Sequence, residues 1–178
     1  MEIFMKRYRL GFLLCLQVLN VDALSKAFFA PLDNLTTLFI ERVAAERKSI
    51  HGAIYMLTDK KIAQSFIDAK KRGVDVQIIV DQISMSSYGK GKILQENGVP
   101  VYVHRTQDFN PYSTPLMHHK FFVFGLNQED TSFVWTGSWN CTLRGTQHNN
   151  ENVILLDDQC VVQQYLDSFF SLKDKLIN

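Results

Sequence analysis

Apolar and polar positions along the chain fall into short blocks whose period switches between two and about 3.6. Residues 27–30 read as a short strand stopped by Pro31. Asp33 or Asn34 can cap a helix running to about Glu46, with Leu35, Leu38, Phe39 and Val43 on one face. Residues 49–56 form the next strand pattern. Thr58 can cap a second helix whose Ile62, Phe66 and Ala69 follow the helical period. Its basic last turn, Lys70-Lys71-Arg72, and Gly73 suit a helix C-terminus. Residues 74–80 are rich in β-branched side chains, as a buried strand requires, and Asp81 stands at the carboxyl end. A polar loop over 82–92 leads into a short helix ending near Gly98. Residues 101–103 are a strand, and 107–115 a loop. Residues 120–124 and 133–136 read as a strand pair, and 152–156 as a further strand. Asp157 can cap a final amphipathic helix carrying Val161, Tyr165, Leu166, Phe169 and Leu172.

Strands alternating with helices predict an α/β domain, with a mixed, mainly parallel sheet and helices on both faces. In such sheets ligands gather beyond the carboxyl ends of strands, which puts Asp81 near a site; its plainer reading is a turn residue. The chain has 178 residues, 46% apolar and 21% charged, enough for one globular domain with a sizeable core. Residues 1–23 stand apart. Lys6, Arg7 and Arg9 precede an apolar run over 10–18, and Ala23 offers a small residue for cleavage. This is the pattern of a secretory signal peptide, with an uncleaved N-terminal anchor as the alternative, although the run is short for a bilayer span. The expected organisation is therefore a leader over 1–23 and one catalytic domain over 24–178, exported to the periplasm or the medium.

Net charge is only +1, so polyanion binding would need a local patch. Lys70-Lys71-Arg72, Lys90 with Lys92, Arg105 and Arg144 are the candidates. Cys141 and Cys160 could pair after export or remain two buried thiols. No Cys or His cluster has zinc spacing, and adjacent His118 and His119 would point to opposite faces of a strand. No metal or other cofactor is expected.

The chemistry concentrates between His118 and Glu151. His118 and Lys120, two apart at a strand start, face one way. An ammonium beside an imidazole disfavours its protonated form and leaves a usable nucleophile. The same ammonium can neutralise a phosphate oxygen as charge builds. Ser138 and Asn140, also two apart, supply uncharged donors. Glu151 can accept a ring N–H and fix the tautomer. Together they suit a tetrahedral phosphoryl centre attacked without a metal. Trp139, Phe109, Tyr112 and Met117 could contact acyl chains, stack on bases or be core.

His118-x-Lys120, an apolar strand, Gly137-Ser138-x-Asn140 and a downstream Glu151 resemble the phospholipase D superfamily, specifically its small single-motif endonucleases. The resemblance implies a covalent phosphohistidine at His118 and a homodimer in which two motifs face each other. The second His118 would protonate the leaving oxygen and later activate water. Lys120, Ser138 and Asn140 would hold the phosphate, Glu151 would orient the histidine, and no metal would be needed. Trp139, Arg144, Lys90 and Lys92 are the expected substrate contacts. A nuclease acting on DNA or RNA is the first expectation, and a phospholipase D or cardiolipin hydrolase the alternative. The chain departs from the family pattern at Gly125, where an Asp is expected. Asp130, seven residues before Gly137, is the candidate replacement if residues 125–129 lengthen the turn.

Overall fold

The apolar blocks become elements close to where the pattern puts them. The computed structural model describes residues 25–106, 114–127 and 130–177; the leader or anchor expected over 1–23, and Phe109 and Tyr112, lie outside the described residues. In chain order the elements are β1 (Ser25–Ala30), α1 (Leu35–Ala45), β2 (Ser49–Ile54), α2 (Lys60–Lys71), β3 (Asp75–Asp81), α3 (Gly91–Glu96), β4 (Val101–His104), β5 (Lys120–Phe124), β6 (Phe133–Gly137), α4 (Leu143–Gln147), β7 (Glu151–Leu156) and α5 (Gln159–Ile177). A single 3₁₀ turn, Gln82–Met85, leaves β3.

Asn34 caps α1, its side chain accepting from the Thr37 N–H. Two other caps differ from expectation by one residue. Asp59, not Thr58, caps α2 by accepting from the Lys61 N–H at 2.8 Å. Thr58 is held one step further out, its N–H donating to the Cys141 carbonyl. Asp158, not Asp157, accepts from the first N–H groups of α5. Helix α4 was not anticipated; its five residues are too few to display an apolar period, and it is set by the Thr142 hydroxyl accepting from Gly145 N–H.

The seven strands form one sheet in the order β1-β7-β6-β5-β2-β3-β4. The mixed α/β sheet is as expected, but it is not mainly parallel. Among the described residues only β2–β3 and β3–β4 pair in parallel as strands, whereas β1–β7, β7–β6, β6–β5 and β5–β2 are antiparallel. The β5–β6 and β6–β7 connections are too short for the crossovers that parallel neighbours need, and apolar periodicity carries no information on pairing direction. One consequence governs function. The carboxyl ends of β1, β2, β3, β4 and β6 and the amino ends of β5 and β7 all lie along the same edge of the sheet.

Helices cover both faces. On one, Phe39 of α1 packs against Phe66, Phe122, Phe124, Trp135 and Trp139. On the other, Val162 and Phe169 of α5 close over Ala53, Ile79, Phe121, Val123 and Val134. Alternation along β5 explains how both are served: Phe122 and Phe124 face one layer, Phe121 and Val123 the other. The two cysteines among the described residues are free: Cys141 is buried, and Cys160 is exposed on the first turn of α5. Of the two alternatives left open, a Cys141–Cys160 disulfide or two buried thiols, neither is present: the thiols are unpaired and only Cys141 is buried. Burial, then the charge of Asp59, pushes the Cys141 thiol well up, so it stays protonated.

Candidate active site

Lys120 opens β5 and His118 precedes it, both on the shared edge. The Lys120 ammonium stands 3.1 Å from His118 Nδ1 and 3.3 Å from Nε2, and donates to the His118 carbonyl at 2.8 Å. Desolvation, then the Lys120 charge, holds the imidazole below its ordinary value of 6.5, while Asp81 pulls it the other way. Desolvation also lowers the Lys120 ammonium, and Glu151 opposes this. The neighbouring ammonium therefore disfavours protonation of the His118 ring.

The segment Gly137 to Asn140 arrives from the end of β6 and is pinned from two sides. A Cβ on Gly137 would meet the Asn152 carbonyl oxygen at 2.1 Å, so only glycine lets β7 pass this closely. That approach puts the Ser138 hydroxyl 3.0 Å from the Asn152 N–H, from which it accepts. Ser138 donates in turn to Glu151 Oε2 at 2.5 Å, and Asn149 donates to Oε1 at 2.9 Å. Asn140 is held differently: its carboxamide oxygen accepts from the Met56 N–H at 3.2 Å, just past β2. This leaves the amide nitrogen as the group available for donation.

Among the described residues His118, Lys120, Ser138, Asn140 and Glu151 thus share one edge, but not all touch. Glu151 is committed to Ser138 and Asn149, and no hydrogen bond joins it to His118 within the chain. Trp139 requires correction. It is 2% exposed, packed on Phe39, and its indole N–H donates to the Thr146 hydroxyl. It anchors the Gly-Ser-Trp-Asn segment to the core and cannot contact substrate. Met117 is likewise core. Arg144 and Lys92 are exposed, and Lys90 is half-buried. All three stand in segments that leave the same edge: Arg144 on α4 after β6, the lysines at the start of α3.

Three residues were missed or undervalued. Tyr55, the first residue beyond β2, lays its ring 4.6 Å from the His118 ring, with Lys120 Nζ 5.4 Å from its centroid. The rule that ligands gather at strand carboxyl ends could have found it. Asp81 combines both of its readings. Oδ1 caps the 3₁₀ turn at the Ile83 N–H, and Oδ2 accepts from the N–H of Met117, the residue before the nucleophile candidate. His104 lies against the same oxygen, at 3.7 Å.

The third is Glu46, at the opposite edge, where the departure from the family pattern falls. A Cβ on Gly125 would meet Ser49 Oγ at 2.2 Å, so an Asp does not fit there without movement. Asp130 does not enter the gap: it lies in the left-handed region at φ 59, its side chain 79% exposed, paired with Arg47. The carboxylate that is buried there belongs to Glu46, whose Oε1 accepts from the Lys48, Ser49 and Leu126 N–H groups.

A histidine beside a lysine, with serine and asparagine at the rim of an α/β sheet, is the arrangement that the phospholipase D superfamily pattern leads one to look for. The chain belongs to the family described as cardiolipin synthase, PLD-like domain, whose model matches residues 39–173. It is 29% identical to a phospholipase D of Rickettsia typhi over 82% of this chain and 66% of that one. It is 31% identical to the mitochondrial cardiolipin hydrolase of Xenopus tropicalis over 69% of this chain and 53% of that one. The chain therefore spans between half and two thirds of these relatives. Its fold is similar to the phospholipase D family member Nuc from Salmonella typhimurium, with a TM-score of 0.72 and 20% identity over 87% of this chain and 96% of that one.

Proposed function

We propose that this chain is an exported, metal-independent phosphodiesterase that works through a covalent phosphohistidine at His118 in a homodimeric site. The observation that carries it is the ammonium of Lys120 against the exposed His118 ring, whose proton affinity partial desolvation and that ammonium hold below the ordinary value. Nitrogen of one imidazole attacks phosphorus, the bond to the leaving oxygen breaks, and that oxygen takes a proton from the second protomer's histidine. The same histidine then deprotonates water, which attacks phosphorus and breaks the P–N bond, releasing a phosphomonoester and the free ring. Lys120 and Asn140 hold the non-bridging oxygens throughout. The exposed position of His118 suits a site completed by a second copy, and a partner's Glu151 would then orient the ring that its own chain does not reach.

Two substrate classes carry such a diester, and the site supports phospholipid first. With Trp139 in the core, the motif's own aromatic is not free to stack on bases, and the side chains that project furthest from this edge are Leu32 (92% exposed), Leu143 (57%) and the amphipathic Tyr88 (81%). Nucleic acid is the second reading, favoured by Arg144, Lys90 and Lys92 beside the site. The test is a side-by-side assay in EDTA on DNA, RNA and phospholipid vesicles, with His118→Asn as control. Turnover is expected in EDTA and lost by ~10³-fold or more in the variant, as for removal of a nucleophile. Loss of wild-type turnover on chelation, or an active His118→Asn, would overturn the mechanism.

A further inference from the structure

The His118 ring is exposed and rests against two neighbours, the Lys120 ammonium and the Tyr55 ring. A nucleophile must also be held by its backbone, since a displacement of an ångström is costly in rate. Asp81, at the end of β3 and only 3% exposed, reaches that backbone. Its Oδ2 accepts from the Met117 N–H at 3.2 Å, one residue before His118. Its Oδ1 accepts from the Ile83 N–H at 3.1 Å and starts the 3₁₀ turn. That turn carries the buried Ser84, whose hydroxyl donates to the Tyr55 carbonyl at 3.1 Å and accepts from the Leu57 N–H at 3.0 Å. The Tyr55 N–H donates in turn to the His119 carbonyl at 2.9 Å. One carboxylate is thus joined directly to the chain before His118. Through Ser84 and Tyr55 it is joined to the chain after it and to the ring beside it.

His104 stands on the other side of that carboxylate. It is the register partner of Asp81 across β3 and β4, and its Nδ1 lies 3.7 Å from Oδ2. A clip holds it there: the Gln82 amide donates to the Thr106 hydroxyl and accepts from the Thr106 N–H, two residues past His104. His104 and His118 line one cleft of about 330 Å³, with Leu116 and with Leu172 of α5. The charges that face His118 are few. Lys120 and His119 flank it on its own segment, and Asp81 approaches from β3. Glu151 of β7 acts on Lys120, and Lys173 of α5 is turned to Gln77 and Tyr102. Desolvation and the Lys120 charge lower the proton affinity of His118, and the Asp81 charge raises it.

We propose that Asp81 is a positioning residue for His118 and that His104 acts through it: the buried carboxylate fixes the backbone of the nucleophile, and the imidazole against Oδ2 fixes the carboxylate. This rests on the reading of His118 as nucleophile. The test uses the full chain and soluble bis(4-nitrophenyl) phosphate. Asp81→Asn keeps the shape but turns an amide toward one of two N–H donors, and kcat is expected to fall ~10- to 100-fold. Loss of the Asp81 charge should also move the acid limb of kcat/KM to lower pH, which a merely structural defect would not do. His104→Gln is expected to lower kcat by ~3- to 10-fold, as for a coupled neighbour. The double variant should be no slower than Asp81→Asn alone. NMR titration of the His118 ring without substrate gives the second readout, and Asp81→Asn should lower its midpoint. The proposal is overturned if that midpoint stays or rises, or if the two substitutions multiply in rate. Should Asp81→Asn fail to fold, His104→Gln decides, and an unchanged kcat overturns the proposal. The titration needs no turnover, so it decides the coupling even where an active His118→Asn removes the phosphohistidine reading.

Discussion

At the start of β5, His118 opens onto solvent and its proton affinity is lowered by the charge of Lys120. At its end, five residues on, Gly125 packs on Ser49, and the buried Glu46 carboxylate gathers three backbone N–H groups. A strand rises ~3.3 Å per residue, so the two places are ~16 Å apart. No side chain at the far end can share in phosphoryl chemistry. A motif that reads as one line in sequence, His-x-Lys with a later Asp, therefore joins two independent devices. One is the proposed reacting pair, in which a conservative change is expected to alter rate. The other is a carboxylate staple, which a different residue from a different segment can supply. The difference can be tested from both ends.

The largest effect is expected at the reacting end. Lys120→Gln keeps most of the side-chain volume but removes the charge. Loss of one preorganised stabiliser is expected to lower kcat by ~10²- to 10³-fold. The pH profile separates this from simple damage. His118 must be neutral to attack, so activity falls as pH drops through its proton affinity, which desolvation and Lys120 hold below the ordinary 6.5. With the ammonium gone, one cause of that depression is gone, and the acid limb of kcat/KM should move to higher pH. A limb that stays in place, measured on a soluble diester, would mean that Lys120 does not tune His118.

The reacting end was legible in sequence because its logic is local. His118 with Lys120, and Ser138 with Asn140, each sit two apart on one strand or turn, and spacing alone puts each pair on one side. The opposite end was not legible, because its parts come from three segments. Glu46 lies in the connection after α1, 80 residues before its partner Leu126. Nothing near Glu46 marks it as the carboxylate for a strand end so far away. Trp139 failed for a related reason: two residues of its tetrapeptide face the site, but it alternates inward and is captured by Thr146 and Phe39. The sheet's pairing directions were hidden as well, since they depend on connection geometry rather than on the apolar period.

The middle-sized effect tests the staple. Glu46→Gln keeps the shape and one acceptor oxygen but loses charge from three hydrogen bonds. Hydrogen bonds to charged groups contribute ~1.5–3 kcal/mol each relative to no partner, and most of their geometry survives here, so a loss of about 2 kcal/mol is expected. For a chain of this size that is a fall in Tm of ~4–8 °C. Activity on a soluble diester at 25 °C should stay within about twofold of wild type. Thermal unfolding and that assay, run on the same preparation, decide whether stability and rate separate as the two ends of β5 predict.

The smallest effect is expected at Asp130, and it sharpens the comparison most. If Asp130 took the place of the family's Asp, its loss should resemble that of Glu46. Its surroundings argue otherwise. The side chain is 79% exposed, and its partner Arg47 also donates to the Asn127 carbonyl, so the arginine stays anchored without it. Exposed ion pairs contribute ~0–1 kcal/mol. Alanine would confuse the test, because φ at Asp130 is 59 and a plain side chain is strained there. Asp130→Asn tolerates that backbone and removes only the charge. It should shift Tm by no more than ~4 °C and leave kcat/KM alone. A fall comparable to that of Glu46→Gln would make the turn, rather than Glu46, the heir to the missing carboxylate. A loss of rate would join the two ends of β5 that geometry keeps apart.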